Sequence, residues 1–445
     1  MKTNTAAVNT ERTYEGGLAR TPAAPLQLER QVATCLLFED TFYAKGATIA
    51  DEIAATCKRV EVGEIARLAI KAREDFKLRH VPLFLVAQLD LRRAESPGLV
   101  SATVERVIQR ADEIPELLSI IEKVNAKPLK KVLSAQVKKG LAKAFRKFGA
   151  YALAKYNRDG KIKLRDALFL CHAKPKDDEQ AAVWKRLVDG TLESPDTWEV
   201  ALSAGSDKKA TWERLLTEKK LGYMALLMNL RNMTEANVDG TLVEAALRDG
   251  APGSRALPFR FVSAYKSAPA YAQAISDAML SAIDKTQTLP GMTYIVIDVS
   301  GSMDAPLSAK GTLVRLEAAS ALAALLRELG STRVFTFSQN LVEVHNVRGL
   351  PMIAGVANSQ EHGGTYLADA LKTLFFRMPN PTRVIVVTDE QTHDGITPPP
   401  QGVRGYLVNV APYAPGLELG RWTRVNGFSE RIVDFVRWAE ASEAQ

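Results

Sequence analysis

Two carboxylates and three hydroxyls at three separated places in the C-terminal third could surround one hard cation. Asp298, Ser300 and Ser302 alternate in Asp298-Val299-Ser300-Gly301-Ser302; Thr365 follows Gly363-Gly364; Asp389 stands in Thr388-Asp389-Glu390. In an extended loop, a spacing of two points the oxygens of Asp298, Ser300 and Ser302 the same way. Gly301 lets the backbone turn tightly around one point. All five donors are hard oxygens. Mg²⁺ takes about six such ligands at roughly 2.0–2.1 Å and tends to keep some water. The expected cofactor is therefore a divalent cation, Mg²⁺ first. With only two carboxylates, the ion keeps part of its charge and an open position for a carboxylate or phosphate oxygen of a partner. The bland alternative is turn and capping chemistry, with Ser300 and Ser302 bonding the local backbone.

The surrounding elements are those that would bring these residues together. Residues 292–298 (MTYIVID) form a β-branched apolar run, too short for a helix and suited to a strand buried on both faces. An Ala/Leu-rich helix over 313–329 ends at Gly330, a residue suited to the C′ position. Strands are expected at 333–337, 341–347, 383–388 and 405–410, and helices at 367–376 and 431–439. Strands alternating with helices imply a doubly wound α/β domain, whose ligand crevice lies at the carboxyl ends of the strands. The first strand ends at Asp298 and the fourth at Thr388-Asp389, and the Gly-Gly-Thr loop must cross the same edge. In these three segments and their order, the chain resembles the metal-ion-dependent adhesion site of von Willebrand A domains. An enzymatic reading finds less. Ser300 stands where a two-aspartate phosphatase site would need its second aspartate, and there is no P-loop, H-E-x-x-H or G-x-S-x-G pattern. Asp389-Glu390 could offer a base, but no nucleophile is legible around it. The site reads as binding, and the chain as no enzyme.

Upstream the texture is helical almost throughout, with apolar residues at three- and four-residue spacing, as in Ile65, Leu68, Ala69 and Ala72. The turn at Ser194-Pro195 is expected to set a helix N-cap with proline at the first helical position. Helices over more than 250 residues cannot share one bundle core, and stacking them as an α-solenoid buries each pair on its neighbours. The fold class is thus α followed by α/β: an N-terminal arm over 1–25, a HEAT-like helical domain over 26–289, and an α/β domain with the metal site over 290–445.

Charge follows the same division. From residue 291 onward there are 13 Lys+Arg and 15 Asp+Glu, a balance of −2, which leaves +9 on residues 1–290. Between Lys123 and Arg165 stand 14 basic residues and a single acid, Asp159. An amphipathic helix is expected over 137–152, with Val137, Leu141, Phe145, Phe148 and Tyr151 on one face and Lys139, Lys143 and Arg146 on the other. That is a charged stripe of the kind that contacts phosphates. Further on stand Lys155-Tyr156-Asn157-Arg158-Asp159-Gly160 and Cys171-His172-Ala173-Lys174-Pro175, where a lone histidine beside an apolar run reads first as structural.

These last motifs resemble the TROVE module of the Ro autoantigen family. The resemblance also includes 224–233 (MALLMNLRNM), Leu257-Pro258-Phe259-Arg260 and Ala264-Tyr265-Lys266-Ser267, and covers the chain from about Cys35 onward. It implies a HEAT-repeat ring followed by a von Willebrand A domain, in an RNA-binding protein. Its implied partners are a small structured non-coding RNA (a Y RNA), single-stranded RNA 3′ ends and, in bacterial members, an exoribonuclease. Lys155, Arg158 and His172 match positions that the family uses for Y RNA. The rival reading is a metal-dependent protein-interaction module on a helical solenoid, with no RNA role.

No apolar run reaches the roughly 18–20 residues of a membrane span, and the polar N-terminus lacks a signal-like h-region. No membrane partner is expected, the cytoplasm is the expected location, and a monomer is the expected state. Cys35, Cys57 and Cys171 form no C-x-x-C pair and read as buried thiols rather than zinc ligands or disulfides.

Overall fold

The computed structural model describes residues 24–33, 46–203, 205–254, 256–283, 288–307, 313–345, 348–410, 417, 420–426 and 432–443. Residues 1–23 of the expected arm, and Cys35, lie outside the described residues. Of the described residues, 31–33 and 46–215 fall in one compact unit, and 24–30 with those from 216 onward fall in a second. The change from helical to strand texture near 289 therefore falls inside the second unit.

The Gly46–Leu215 unit is helical. Helix His80–Leu91 lies at its centre, with every residue from Val81 to Asp90 buried. Leu99–Val107 packs against Ala135–Phe145 so closely that a Cβ on Gly140 would stand 2.6 Å from the Val104 Cβ. Arg73 and Glu113 form a deeply buried ion pair at 2.6 Å. Glu113 also accepts the backbone N–H groups of Gln109 and Arg110. This satisfies the oxygens that burial would otherwise leave exposed to an apolar interior.

Two expectations fail here for local reasons. The single helix over 137–152 is two, Ala135–Phe145 and Ala150–Tyr156. Val137, Leu141, Phe145 and Phe148 are buried as expected, but the break before Gly149 turns the second helix and leaves Tyr151 54% exposed. The helix after Ser194-Pro195 starts at Trp198. There Thr197, not Ser194, offers its hydroxyl oxygen to the backbone N–H of Val200, at 3.4 Å.

The Leu216–Gln445 unit is built on a six-stranded sheet in the order β3-β2-β1-β4-β5-β6. The strands are β1 (Thr293–Asp298), β2 (Thr332–Phe337), β3 (Leu341–Val344), β4 (Arg383–Thr388), β5 (Arg404–Asn409) and β6 (Trp422–Asn426). All pairings are parallel except β2 with β3. Every residue of β1 and β4 is buried, as a parallel sheet covered on both faces requires. Helices Arg315–Leu329, Leu367–Arg377 and Ile432–Glu443 supply much of the cover. Pro258–Ser267 also packs on Arg315–Leu329, with Lys266 paired to Glu317 at 2.8 Å.

Gly330 has a role other than the expected one. Its φ of 176° is extended, so no left-handed cap is made. A Cβ there would instead meet the Leu289 carbonyl oxygen at 2.5 Å, so close backbone approach is what excludes a side chain. β6 was not expected from the sequence, because its short run Trp422-Thr423-Arg424-Val425-Asn426 mixes polar and apolar residues as an edge strand does.

Candidate metal centre and nucleic-acid surface

The chain runs from β1 to one side of the sheet and then to β4 on the other, so the strand order reverses between them. That is the switch point where open α/β sheets bind ligands. Asp298 closes β1 and is fully buried. One carboxylate oxygen accepts the Ser300 N–H at 2.8 Å, and the other accepts the Thr388 hydroxyl at 2.6 Å from the end of β4. Ser300 leaves the strand in extended geometry, and a 3-10 turn follows over Gly301–Asp304. The Ser300 and Ser302 hydroxyls lie 3.2 Å apart. Gly301 is not among the left-handed residues, and its built Cβ meets nothing nearer than the His362 carbonyl oxygen at 3.9 Å. The turn thus makes no special demand on glycine, and the 362–365 loop passes beside it.

Asp389 is also fully buried. It accepts the Gln391 N–H at 3.2 Å and the Arg315 guanidinium at 3.2 Å, and the same guanidinium nitrogen donates to the Ser302 carbonyl at 3.1 Å. Arg315, buried at the first turn of its helix, therefore ties the loops after β1 and β4 together. No pattern in the sequence marked it. Burial pushes the Asp298 carboxyl up to about 6 against the Thr388 and Ser300 hydrogen bonds, and the charge of Asp389 pushes the same way.

Thr365 is buried on the third loop. His393 donates its backbone N–H to the Thr365 carbonyl at 2.9 Å and stacks its ring on Tyr366 with centroids 5.4 Å apart. Asp394 accepts the N–H groups of Ala368 and Asp369 at the start of the next helix. Among the described residues the Thr365 hydroxyl makes no hydrogen bond. His393 and Asp394, like Arg315, hold the site and were missed, because they act across loops that are distant in sequence.

Among the described residues, no group of three or more His, Cys, Asp or Glu could hold a metal. A cation here would rest on two carboxylates, hydroxyls and water, which is the chemistry of a hard ion such as Mg²⁺. Two buried carboxylates with one guanidinium leave a net negative charge, so the donor set fits such an ion. Glu390 does not serve as a free base. It is buried, with φ +61°, and it is held by Arg424 through two bonds of 2.9 and 2.8 Å and by Asn409 at 2.9 Å.

On the helical unit, the six expected RNA residues divide by their partners. Lys143 pairs with Glu105 at 2.9 Å. Arg146 donates to the Lys174 carbonyl at 3.0 Å. Lys139 and Arg158 have no ion pair among the described residues. The Lys155 ammonium lies 5.8 Å from the Tyr151 ring. His172 is exposed at a left-handed helix end (φ +51°), with its N–H bonded to the Phe169 carbonyl and the Ala173 N–H to that of Leu168. Its ring is therefore not the satisfied core histidine that its neighbours suggested. The acids missing from 123–165 arrive from other helices: Glu105 to Lys143 and Glu122 to Lys161.

Comparisons with known proteins agree with this architecture. The family model described as TROVE domain matches residues 185–283. Telomerase protein component 1 of Mus musculus is 36% identical over 81 residues, which is 17% of this chain and 3% of that protein. The Rattus norvegicus protein of the same name is 35% identical over 81 residues, with the same shares. The chain thus matches only a small part of these curated relatives. The crystal structure of the Deinococcus radiodurans RO (RSR) protein superposes with a TM-score of 0.65 at 18% identity, covering 93% of this chain and 99% of that one.

Proposed function

We propose that this chain, which resembles the Ro family in its TROVE match and its fold, is an RNA-binding scaffold rather than an enzyme. It holds a small structured, Y-like non-coding RNA on its basic helical surface and admits single-stranded 3′ ends for quality control or decay, with an exoribonuclease as the partner that consumes them. The observation that carries the reading is the TROVE match on a chain whose first 290 residues have an excess of nine positive charges. Lys139, Lys155, Arg158 and His172 have no ion pair among the described residues, and their side chains can meet phosphates. Cations that neutralise phosphates release counterions, which gives affinity without sequence reading. Structured RNA is then selected by shape and single strands by access.

At the sheet edge, Asp298, Ser300, Ser302, Thr365 and Asp389 would hold Mg²⁺, which would offer an anionic partner group a positively charged anchor. The donor chemistry supports this, and the engagement of Glu390 by Arg424 supports binding over catalysis. Cys57 and Cys171 are buried thiols, pushed up by burial to about 12 and about 11, and suit a reducing cytoplasm.

The deciding experiment is filter binding of the full chain, as a monomer, to a stem-loop RNA and to a single-stranded oligonucleotide across a salt series. Binding whose log affinity falls steeply with log salt is the expected result. Absent or salt-independent binding would favour the protein-interaction module instead.

A further inference from the structure

The helix Ala150–Tyr156 carries an aromatic ring where its sequence pattern called for a buried one. Tyr151 is 54% exposed. Lys155, one turn on, sets its ammonium between two rings, 5.8 Å from the centroid of Tyr151 and 5.9 Å from that of Tyr156. On Tyr156 lies the guanidinium of Arg110, 4.6 Å from the centroid and held in place by Asp112 at 3.1 and 2.8 Å. The four side chains thus make a ladder, Tyr151–Lys155–Tyr156–Arg110, fixed at its Arg110 end and open at its Tyr151 end. Arg158, without an ion pair among the described residues, follows two residues after Tyr156.

We infer that Tyr151 is a stacking platform for an unpaired RNA base, with Lys155 meeting the adjoining phosphate; this rests on the RNA-binding reading above. An exposed ring offers an apolar face on which a flat group can stack, and cations at its edge favour a group that is also linked to negative charge. A nucleotide in a single strand has both properties, whereas a base inside a duplex presents no free face. An acidic protein surface would satisfy Lys155 but would not call for an exposed ring.

The test uses the full chain, a fluorescein-labelled single-stranded 12-mer and a blunt RNA duplex of the same length, read by anisotropy at several salt concentrations. Tyr151→Ala should weaken single-strand binding about tenfold, within the range for loss of one base–aromatic stack. Its salt slope should match the wild type, because no charge is lost, and duplex binding should stay as it was. Tyr151→Phe should bind as the wild type does, since the ring and not the hydroxyl is used. Lys155→Ala should lower the single-strand salt slope by roughly 0.7, the share of one phosphate. Wild-type affinity in Tyr151→Ala, equal losses on both RNAs, or a loss in Tyr151→Phe as large as in Tyr151→Ala would each overturn the assignment. A wild-type chain that binds neither RNA would sink the RNA reading itself, an outcome distinct from failure at Tyr151 alone.

Discussion

At the sheet edge, charged groups are buried and each has its counter-group within hydrogen-bond distance: Asp389 with Arg315, Glu390 with Arg424, Asp298 with Thr388 and the Ser300 N–H. Across the helical surface the charges are half-exposed, and neighbours in sequence have different fates. Lys143 is tied to Glu105, while Lys139, on the same helix, is not tied among the described residues. One region has fixed its charged groups against one another in the interior. The other distributes positive charge over side chains that stand partly in solvent. Low-dielectric surroundings make each contact at the first site consequential, and solvent screening makes each contact on the second small. The difference predicts how strongly a single substitution acts in each place.

The largest effect is expected at Glu390. Glu390→Gln removes the charge opposing Arg424 in a buried setting and should cost the sheet unit about 3 kcal/mol, the low end for breaking a buried pair because Arg424 is partly exposed. Urea unfolding followed by near-ultraviolet circular dichroism checks it. A loss below about 1 kcal/mol would place this pair with surface ion pairs and erase the contrast.

Next comes the proposed ion. Mg²⁺ at a hundredfold excess over its Kd should stabilise the wild type by about 2.7 kcal/mol through mass action. Asp298→Ala should abolish the Mg²⁺-dependent rise in Tm while keeping any response that comes from elsewhere. The same rise in both proteins would place the ion outside the sheet edge.

The same contrast explains what the sequence could tell. The α/β domain was legible because its signals are local. The run over 292–298 is a strand of the expected kind (Thr293–Asp298), 383–388 coincides with β4, and the Asp-x-Ser-x-Ser spacing names its own loop. Arg315, His393 and Asp394 were illegible because each reaches a partner between 13 and 74 residues away. On the helical surface the illegible part was neutralisation. A stretch with one acid among 14 cations is partly offset by Glu105 and Glu122, which come in from neighbouring helices and leave a positive excess. Tyr151 misled for a related reason: the i, i+3, i+4 pattern continues through a helix break that nothing in the pattern announces.

Within the surface, pairing should rank the lysines. Replacing Lys139, Lys143 and Arg146 together with alanine should weaken structured-RNA binding and flatten its salt dependence. Singly, Lys139→Ala should remove close to one unit from the slope of log affinity against log salt, the share of one phosphate on a duplex. Lys143→Ala should remove less, because its ammonium already has Glu105 at 2.9 Å. Equal slopes for the two single variants would mean that the ion pair opens on binding and that pairing carries no information about the interface.

The smallest effect is also the most specific to this arrangement. Glu105 accepts Lys143 through its carboxylate, while its backbone carbonyl accepts Lys147, whose other bond runs to the Ile108 carbonyl at 3.0 Å. Glu105→Gln keeps the backbone contact and removes only the negative charge. Lys143 is about half-exposed and so is Glu105, so the pair adds little to stability and Tm should barely move. The freed ammonium, however, joins Lys139 on the same helix, and the local field gains one positive charge. Structured-RNA affinity should rise about two- to fivefold at low salt, and the gain should shrink as ionic strength shortens the Debye length towards about 8 Å. Combined with Lys143→Ala, the substitution should lose the part of this gain that depends on the Lys143 ammonium and keep only the general field effect. An affinity for Glu105→Gln equal to wild type at low salt would place Lys143 away from the RNA path, and the cationic stripe would then begin at Lys139.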